Sequence, residues 1–151
     1  MKRIATYRDF VGELTVTYKR TDELTIKVQS SRDAADYLRK HFEQCMDNHE
    51  EFKILHLNNS NSVVNVHHVS KGGLTGTLVD VRLAVREALH IVCAGVIICH
   101  NHPSGTTKPS QADRAITQKL KTAFNYFDIN VLDHIILTRE TYLSMADEGL
   151  L

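Results

Sequence analysis

Two histidines and an aspartate are spaced in this chain as ligands of a divalent metal ion would be. His100 and His102 are separated by one residue, so on an extended segment their side chains project from the same side of the backbone. Asp113 follows eleven residues after His102, behind a loop that Pro103 and Pro109 stiffen. Two imidazole nitrogens and one carboxylate oxygen can hold zinc and leave a fourth position for water. That arrangement is typical of a catalytic metal site in a hydrolase.

Each part of this pattern has a simpler interpretation when it is taken alone. Histidine pairs occur on surface strands by chance, as His67 and His68 illustrate. Ser110-x-x-Asp113 is also the pattern of a helix capping box, in which the serine caps the helix and the acid lies at its third position. We expect Asp113 to do both, because capping would direct its carboxylate toward the loop that carries His102. The complete pattern therefore predicts a metal or active site.

A metal-bound water needs a base that takes up its proton, and the motif itself contains no suitable acid. The candidates are Glu50 and Glu51, at the start of a predicted strand. Strand alternation places Glu50 on the same face as Phe52, and Glu51 on the same face as Lys53. From spacing alone, both are better explained as solvated acids at a strand edge.

The composition excludes several classes of protein. A chain of 151 residues fits one domain and can fold without disulfides. Its three cysteines, without a C-x-x-C pair, are consistent with a reducing compartment, and we expect a cytoplasmic protein. We find no signal-peptide pattern and no apolar run long enough to cross a bilayer, so we expect no membrane partner. A formal net charge of +0 gives no strong basic field for DNA, which weakens DNA as a partner.

Hydrophobic periodicity predicts alternating strands and helices. Helices are expected after a cap at Ser30 or Ser31, from about Asp80 to Leu89, and from Ser110 with an apolar stripe that ends at Phe127. Glycines at 72, 73 and 76 predict a loop. The strands are predicted at 13–18, 24–28, 52–57, 63–69, 94–99 and 131–137. This order, followed by a short helical tail, predicts an α/β domain in which helices cover a mixed β-sheet.

Three further residues lie near the motif on predicted strands. Cys99 alternates to the opposite face from His100, so we expect it to pack in the core. Asp133 and His134 have two interpretations: they orient a metal ligand, or they form a buried pair that is satisfied within itself.

The full pattern resembles a known family. His100-x-His102, seven residues and Ser110-x-x-Asp113 match the JAMM (MPN+) metalloprotease signature. The wider string from Cys99 to Asp113, with Leu132-Asp-His-Ile-Ile136, is similar to the JAB domain of the RadC family. The resemblance covers about residues 30 to 138.

This resemblance implies roles for five residues. His100, His102 and Asp113 would bind Zn²⁺, Ser110 would orient or stabilise the reacting carbonyl oxygen, and Glu50 would be the base. It also implies a JAB/MPN fold like that of cytidine deaminases, with a mixed sheet between helices. The resemblance predicts a RadC-like JAB domain over residues 29–151. Residues 1–28 lie outside it and look like β structure, so we expect an N-terminal β extension there.

The activity implied is that of a zinc-dependent metallopeptidase or isopeptidase-like hydrolase acting on a peptide or protein. Two alternatives differ from it. A zinc deaminase would need a P-C-x-x-C segment, which is absent. A non-catalytic metal-binding accessory module in DNA repair or other DNA transactions would bind DNA in a salt-sensitive way. Longer RadC proteins carry a helix-hairpin-helix region before the JAB domain, and residues 1–28 do not match it.

Overall fold

The computed structural model describes residues 6–72 and 78–151. Short 3₁₀ turns occur at Tyr7–Asp9 and Lys40–Phe42. The helices are α1 (Ser31–Arg39), α2 (Val81–Ile91) and α3 (Gln111–Asn125). The strands are β1 (Glu51–Leu57), β2 (Val63–Lys71), β3 (Gly95–Asn101), β4 (Asn130–Leu137) and β5 (Tyr142–Ser144). No helix among these residues is long and apolar enough to span a bilayer.

One mixed sheet contains all five strands, in the order β2-β1-β3-β4-β5. β1 and β2, predicted as strands, form an antiparallel hairpin, and β1 also pairs antiparallel with β3. β3 and β4 are parallel and are joined by α3, while β5 returns antiparallel along β4. Every residue of the central strand β3 is buried, as its nearly continuous apolar sequence predicts. The predicted α/β class with a mixed sheet is confirmed.

The two faces of the sheet support two cores, because alternate side chains of each strand point to opposite sides. One face packs against α1, with Leu38 and Phe42 meeting strand residues such as Leu55 and Cys99. The predicted packing role of Cys99 is confirmed, since it is fully buried in this cluster. On the other face, α2 and α3 cover strand residues that include Ile98. The helices therefore flank both sides of the sheet.

The N-terminal part of the described chain differs from the prediction. Residues 13–18 and 24–28 alternate in the manner of strands, but neither segment forms one. Within the described residues, they make a single isolated bridge, Lys27 to Ser62, at the start of β2. Alternation reports a tendency to be extended, and a strand also requires a neighbour along its length. Residues 1–5 of the expected β extension lie outside the described residues, as do Gly73 and Gly76 of the predicted loop.

The C-terminal prediction was also wrong in part. The expected helical tail is instead the short strand β5 followed by turns. α3 ends at Asn125, and Asp128 adopts a positive φ of 56° that turns the chain toward β4. Phe127, predicted on the apolar stripe of this helix, lies beyond its end and is half exposed.

Candidate metal centre

The end of β3 places the two histidines of the motif side by side. His100 belongs to the strand, and its ring stacks on Phe52 of β1 with 5.9 Å between centroids. His102 lies just beyond the strand, where its N–H donates to the carbonyl oxygen of Leu137 at 2.8 Å. This bond continues the β3–β4 register by one step. Extended geometry therefore persists through both residues, and their rings lie on one face with centroids 4.7 Å apart.

The loop after β3 fixes the orientation of the His102 ring. Gly105 has a φ of +86°, which favours glycine, and its N–H donates to the carbonyl oxygen of His102 at 3.1 Å. The turn brings the carbonyl oxygen of Thr106 to 2.8 Å from His102 Nδ1. A carbonyl oxygen only accepts, so Nδ1 carries the hydrogen of this bond. In the neutral ring, the lone pair of Nε2 then points toward the site.

The capping box at the start of α3 directs the third side chain to the same place. Ser110 Oγ accepts from the N–H of Asp113 at 3.0 Å, and the N–H of Ser110 donates to Asp113 Oδ2 at 2.8 Å. Asp113 Oδ1 lies 3.2 Å from His100 Nε2, and Asp113 Oδ2 lies 3.3 Å from His102 Nε2. One carboxylate therefore caps a helix and faces both histidines, as expected from the sequence.

The three predicted ligands form a compact triangle. The Nε2 atoms of His100 and His102 are 2.9 Å apart, and each is within 3.3 Å of an oxygen of Asp113. A zinc ion about 2.1 Å from each of three tetrahedral ligands separates the ligand atoms by about 3.4 Å. The donor set and its spacing therefore fit a small divalent cation.

A second group with metal-ligand chemistry lies on the other face of the sheet. Single donor atoms of Cys45, His49 and Glu51 are within 4.8 Å of one another. Here, however, the ammonium group of Lys53 is 3.2 Å from Glu51 Oε2 and already supplies a positive charge. We therefore interpret this group as an ion-pair cluster.

The Nδ1 side of the His100 ring is held by a chain of hydrogen bonds that begins at a backbone carbonyl. Thr117 Oγ1 donates to the carbonyl oxygen of Asp113 at 2.6 Å, and it lies 2.5 Å from His134 Nδ1. Because the hydroxyl has only one hydrogen, His134 Nδ1 is the donor to Thr117. Burial, and to a smaller extent the neighbouring imidazole of His100, hold the pKa of His134 well below its usual range. This ring is therefore neutral.

The neutral ring of His134 fixes the tautomer of His100. With its hydrogen on Nδ1, His134 can only accept at Nε2, which lies 2.8 Å from His100 Nδ1. His100 therefore donates from Nδ1 and presents the lone pair of Nε2 to the site. Both histidines of the motif are thus oriented as metal ligands by bonds to their other nitrogens.

The sequence left two interpretations open for Asp133 and His134, and each residue follows a different one. His134 orients His100, whereas Asp133 holds the C-terminal segment. Asp133 Oδ1 accepts from the N–H groups of His134 at 2.7 Å and Ala146 at 2.9 Å. Asp133 Oδ2 accepts from Ser144 Oγ at 2.5 Å.

The charges at the site favour a bound cation. Burial raises the pKa of the Asp113 carboxyl, but its contacts with the imidazoles of His100 and His102 outweigh burial and hold this pKa well below its usual range. Burial lowers the pKa of His102, but the Asp113 carboxylate and the carbonyl of Thr106 prevail and raise it. The raised pKa favours a proton on His102 beside the aspartate in the metal-free protein, and a metal ion would take the place of that proton.

The triangle opens into a cleft of about 900 Å³, whose lining includes Glu50 and Ser110. Glu51 lies on the opposite side of β1, where its carboxylate contacts His49 at 3.1 Å and Lys53 at 3.2 Å. The predicted separation of Glu50 and Glu51 by strand alternation is therefore confirmed. Glu50 shares the cleft with the ligand triangle, and Glu51 does not.

Two polar residues that the sequence motifs do not indicate support this arrangement. Thr117 is buried, and nothing in the sequence distinguishes it from other polar residues of a helix. The fully buried Asn101 lies between the two histidines and points away from them. An amide at the end of a buried apolar strand was the available signal, because buried amides need partners.

The chain is similar over most of its length to known proteins. Residues 28–150 match the RadC-like JAB domain. A UPF0758 protein of Flavobacterium johnsoniae is 48% identical over 124 residues, which cover 82% of this chain and 53% of that protein. A UPF0758 protein of Verminephrobacter eiseniae is 46% identical over 103 residues, covering 68% and 44%. The UPF0758 protein YfjY of Escherichia coli (strain K12) is 38% identical over 138 residues, covering 91% and 85%. The chain thus spans about half the length of the first two relatives.

Proposed function

The chain belongs to the RadC-like JAB domain family, and from this membership and the ligand triangle we propose that it is a zinc-dependent metallopeptidase or isopeptidase-like hydrolase. The observation that carries the proposal is the convergence of His100, His102 and Asp113, with edges of 2.9 to 3.3 Å, at the floor of an open cleft. Three protein ligands beside accessible space are typical of catalytic metal sites.

We propose Zn²⁺ as the cofactor, because two imidazole nitrogens and one carboxylate oxygen suit it. When bound, the ion would act as a Lewis acid toward a carbonyl oxygen and lower the pKa of water. His100 and His102 are prepared for this task, since each has its Nδ1 hydrogen engaged elsewhere. Asp113 contributes the negative charge.

Glu50 is the proposed general base. Its side chain lines the same cleft as the three ligands, at the edge formed by the start of β1. In that position, its carboxylate would take a proton from the attacking water and later pass it to the leaving amine. Glu51 cannot take this role from the opposite face, where His49 and Lys53 occupy its carboxylate.

Ser110 is proposed to stabilise the carbonyl oxygen that becomes negative during the attack. Its hydroxyl oxygen accepts from the backbone of Asp113, and this bond does not use the hydroxyl hydrogen. The hydrogen can therefore be donated toward the cleft, where Ser110 is exposed.

The substrate that we propose is an amide within a peptide or protein. The cleft continues beyond the ligands along α3, where apolar side chains and two lysines border it. Those residues are Leu78, Val79, Ala115, Ile116, Lys108 and Lys119. A surface of this kind suits a side chain or an extended segment of a polypeptide. We further propose a cytoplasmic location, which the three free, buried cysteines support.

The test begins with metal analysis of the purified chain, before and after dialysis against a chelator and readdition of ZnCl₂. Hydrolysis is then measured by mass spectrometry on a library of peptides and of peptides joined through a lysine Nε amide. We expect activity with zinc, loss of activity with chelator, and loss in Glu50→Gln at unchanged zinc content. Glu51→Gln is the matched control and should retain turnover.

Two outcomes would overturn the proposal. Hydrolysis that is indifferent to the chelator would exclude the metal from the reaction. A zinc-loaded chain that cleaves no amide but binds duplex DNA, more tightly at 50 mM than at 200 mM salt, would indicate the accessory module instead.

A further inference from the structure

We infer that Asn101, the residue between the two histidine ligands, is a positioning residue that fixes the backbone of Glu50 beside the metal centre. The inference rests on the proposed function, because it takes Glu50 as the general base. It concerns how the cleft edge formed by β1 is kept in register with the ligands on β3.

The side chain of Asn101 is fully buried, and its amide makes polar contacts with four backbone groups of one segment. Strand alternation turns it to the face opposite the rings of its two histidine neighbours. The two hydrogens of its Nδ2 are shared among three carbonyl oxygens, those of Cys45 at 3.2 Å, Met46 at 3.1 Å and His49 at 2.9 Å. Its Oδ1 accepts from the N–H of Glu51 at 2.8 Å.

Two of these bonds enclose Glu50. The carbonyl of His49 belongs to the peptide group that precedes Glu50, and the N–H of Glu51 belongs to the one that follows it. A single planar carboxamide therefore ties the backbone on both sides of the proposed base. The carbonyl oxygen of Glu50 accepts from the N–H of Gly72 at 2.8 Å, which anchors it to the end of β2.

Only a carboxamide of this length meets these demands. It offers a donor and an acceptor in one plane, whereas an aspartate offers acceptors alone and would face three carbonyl oxygens. Leucine has the size of asparagine but would leave several buried backbone groups without partners. The two histidine ligands and the residue that holds the backbone of the base are thus three consecutive residues at the end of one buried strand. Any shift of that strand moves the ligands and the base together.

Precise placement of a general base raises the turnover rate by a measurable factor. A misplacement of about 1 Å in a catalytic group costs about 10²-fold in turnover. We therefore expect Asn101→Asp to lower kcat by about 10²-fold, with KM within about threefold of wild type. Zinc affinity should also stay within about threefold, because the side chains of His100 and His102 are on the other face.

A double-mutant cycle separates positioning from a general structural effect. If Asn101 acts through Glu50, the double variant Asn101→Asp/Glu50→Gln should be no slower than Glu50→Gln alone. Cys99→Ala is the matched control, since Cys99 packs in the apolar core on the same face of β3 two residues earlier. It should lower stability but leave kcat unchanged. If Asn101→Asp does not fold, Asn101→Ala is taken through the same cycle.

Crystal structures of the zinc-loaded wild type and Asn101 variant provide a readout that needs no activity. We expect the three ligands in place and the Glu50 carboxylate displaced by about 1 Å or more. Any of three results would overturn the inference. They are a wild-type kcat in the Asn101 variant, losses in kcat that multiply fully in the double-mutant cycle, and a Glu50 carboxylate that has not moved. If the wild type cleaves nothing, the proposed function fails, and the position of Glu50 still decides the inference.

Discussion

His134 Nε2 lies 2.8 Å from His100 Nδ1, and this contact links neighbouring strands of the sheet. The bond runs between β4 and β3, and it continues through Thr117 of α3 to the carbonyl of Asp113, which is itself a predicted ligand. Two of the three ligands are therefore connected by hydrogen bonds that do not pass through the metal. The donor atoms are oriented before an ion arrives.

Replacing His134 tests the value of this orientation. We expect His134→Phe to weaken zinc binding by about 10- to 100-fold, because His100 loses the partner that fixes its tautomer and ring angle. Competition titration against a chromophoric chelator measures the change. The control is His90→Ala, an exposed histidine of α2 that should leave the affinity unchanged. Equal affinities for His134→Phe and wild type would show that the contact is only packing.

Thr117→Val removes one hydroxyl at nearly constant volume. His134 then keeps its hydrogen bond to His100 but loses the partner that fixes its own tautomer. We expect a smaller loss of zinc affinity than in His134→Phe, together with a mixture of His134 tautomers. The ¹⁵N chemical shifts of the His134 ring nitrogens report this mixture directly. A single unchanged tautomer in Thr117→Val would contradict the proposed hydrogen-bond direction.

Ser110 has two proposed tasks, and two substitutions separate them. Glycine is nearly as good an N-cap as serine, whereas alanine costs about 1 kcal/mol of stability. We expect Ser110→Gly to keep most of the free energy of unfolding while kcat falls by about 10²-fold, since the hydroxyl donor is lost in both variants. Urea denaturation and steady-state kinetics measure the two effects. If kcat fell in Ser110→Ala and stayed near the wild-type value in Ser110→Gly, in parallel with the free energy of unfolding, Ser110 would act only as a helix cap.

Zinc affinity should depend on pH with a definite sign. The pKa of His102 is raised in the metal-free protein, so its protonated form persists to a higher pH than in an ordinary histidine. Binding zinc must displace that proton, and the affinity should therefore fall as the pH falls from 8 toward 6. Calorimetric titrations in buffers of different ionisation enthalpy measure the protons released. An affinity that is constant over this range would contradict the hydrogen-bonded state described for His102.

Glu51 should contribute to stability and not to turnover. Burial raises the pKa of its carboxyl, but His49 and Lys53 prevail and lower it to about 2 from 4.5. Since the folded pKa is depressed, this contribution is complete above about pH 4.5 and is lost as the pH falls toward 2. Glu51→Gln should cost about 1–3 kcal/mol at pH 7, because Lys53 loses its carboxylate partner and keeps only the carbonyl oxygen of His41 and the ring of Phe42. Urea unfolding of metal-free proteins at several pH values measures both effects.

Much of the site could be predicted from sequence because its determinants are local. The H-x-H spacing on an extended segment, the capping box at Ser110 and the opposite faces of Glu50 and Glu51 depend on backbone periodicity alone. The contacts of Asn101 and His134 join residues far apart in sequence. Asn101 is 50 positions from its partner Glu51, and His134 is 34 positions from its partner His100. No local pattern reports them.

The fold errors have a similar origin. Residues 13–18 have the alternation of a strand, but their neighbours are set by tertiary structure and not by their own sequence. Tyr142–Ser144 is too short to give a periodic signal, and it becomes a strand because β4 presents an edge to it. The likeness to cytidine deaminases and the identity of the metal stay predictions.

Asp113 stabilises the first turn of α3 with the same carboxylate that faces the histidines. A substitution of Asp113 consequently affects two properties at once. One that is chosen to prevent metal binding also destabilises the start of α3 in the metal-free chain. On the proposed function, a variant without turnover that must remain well folded is better made at Glu50. Its side chain lines the cleft, and its backbone is held by Asn101 on the other face of the sheet.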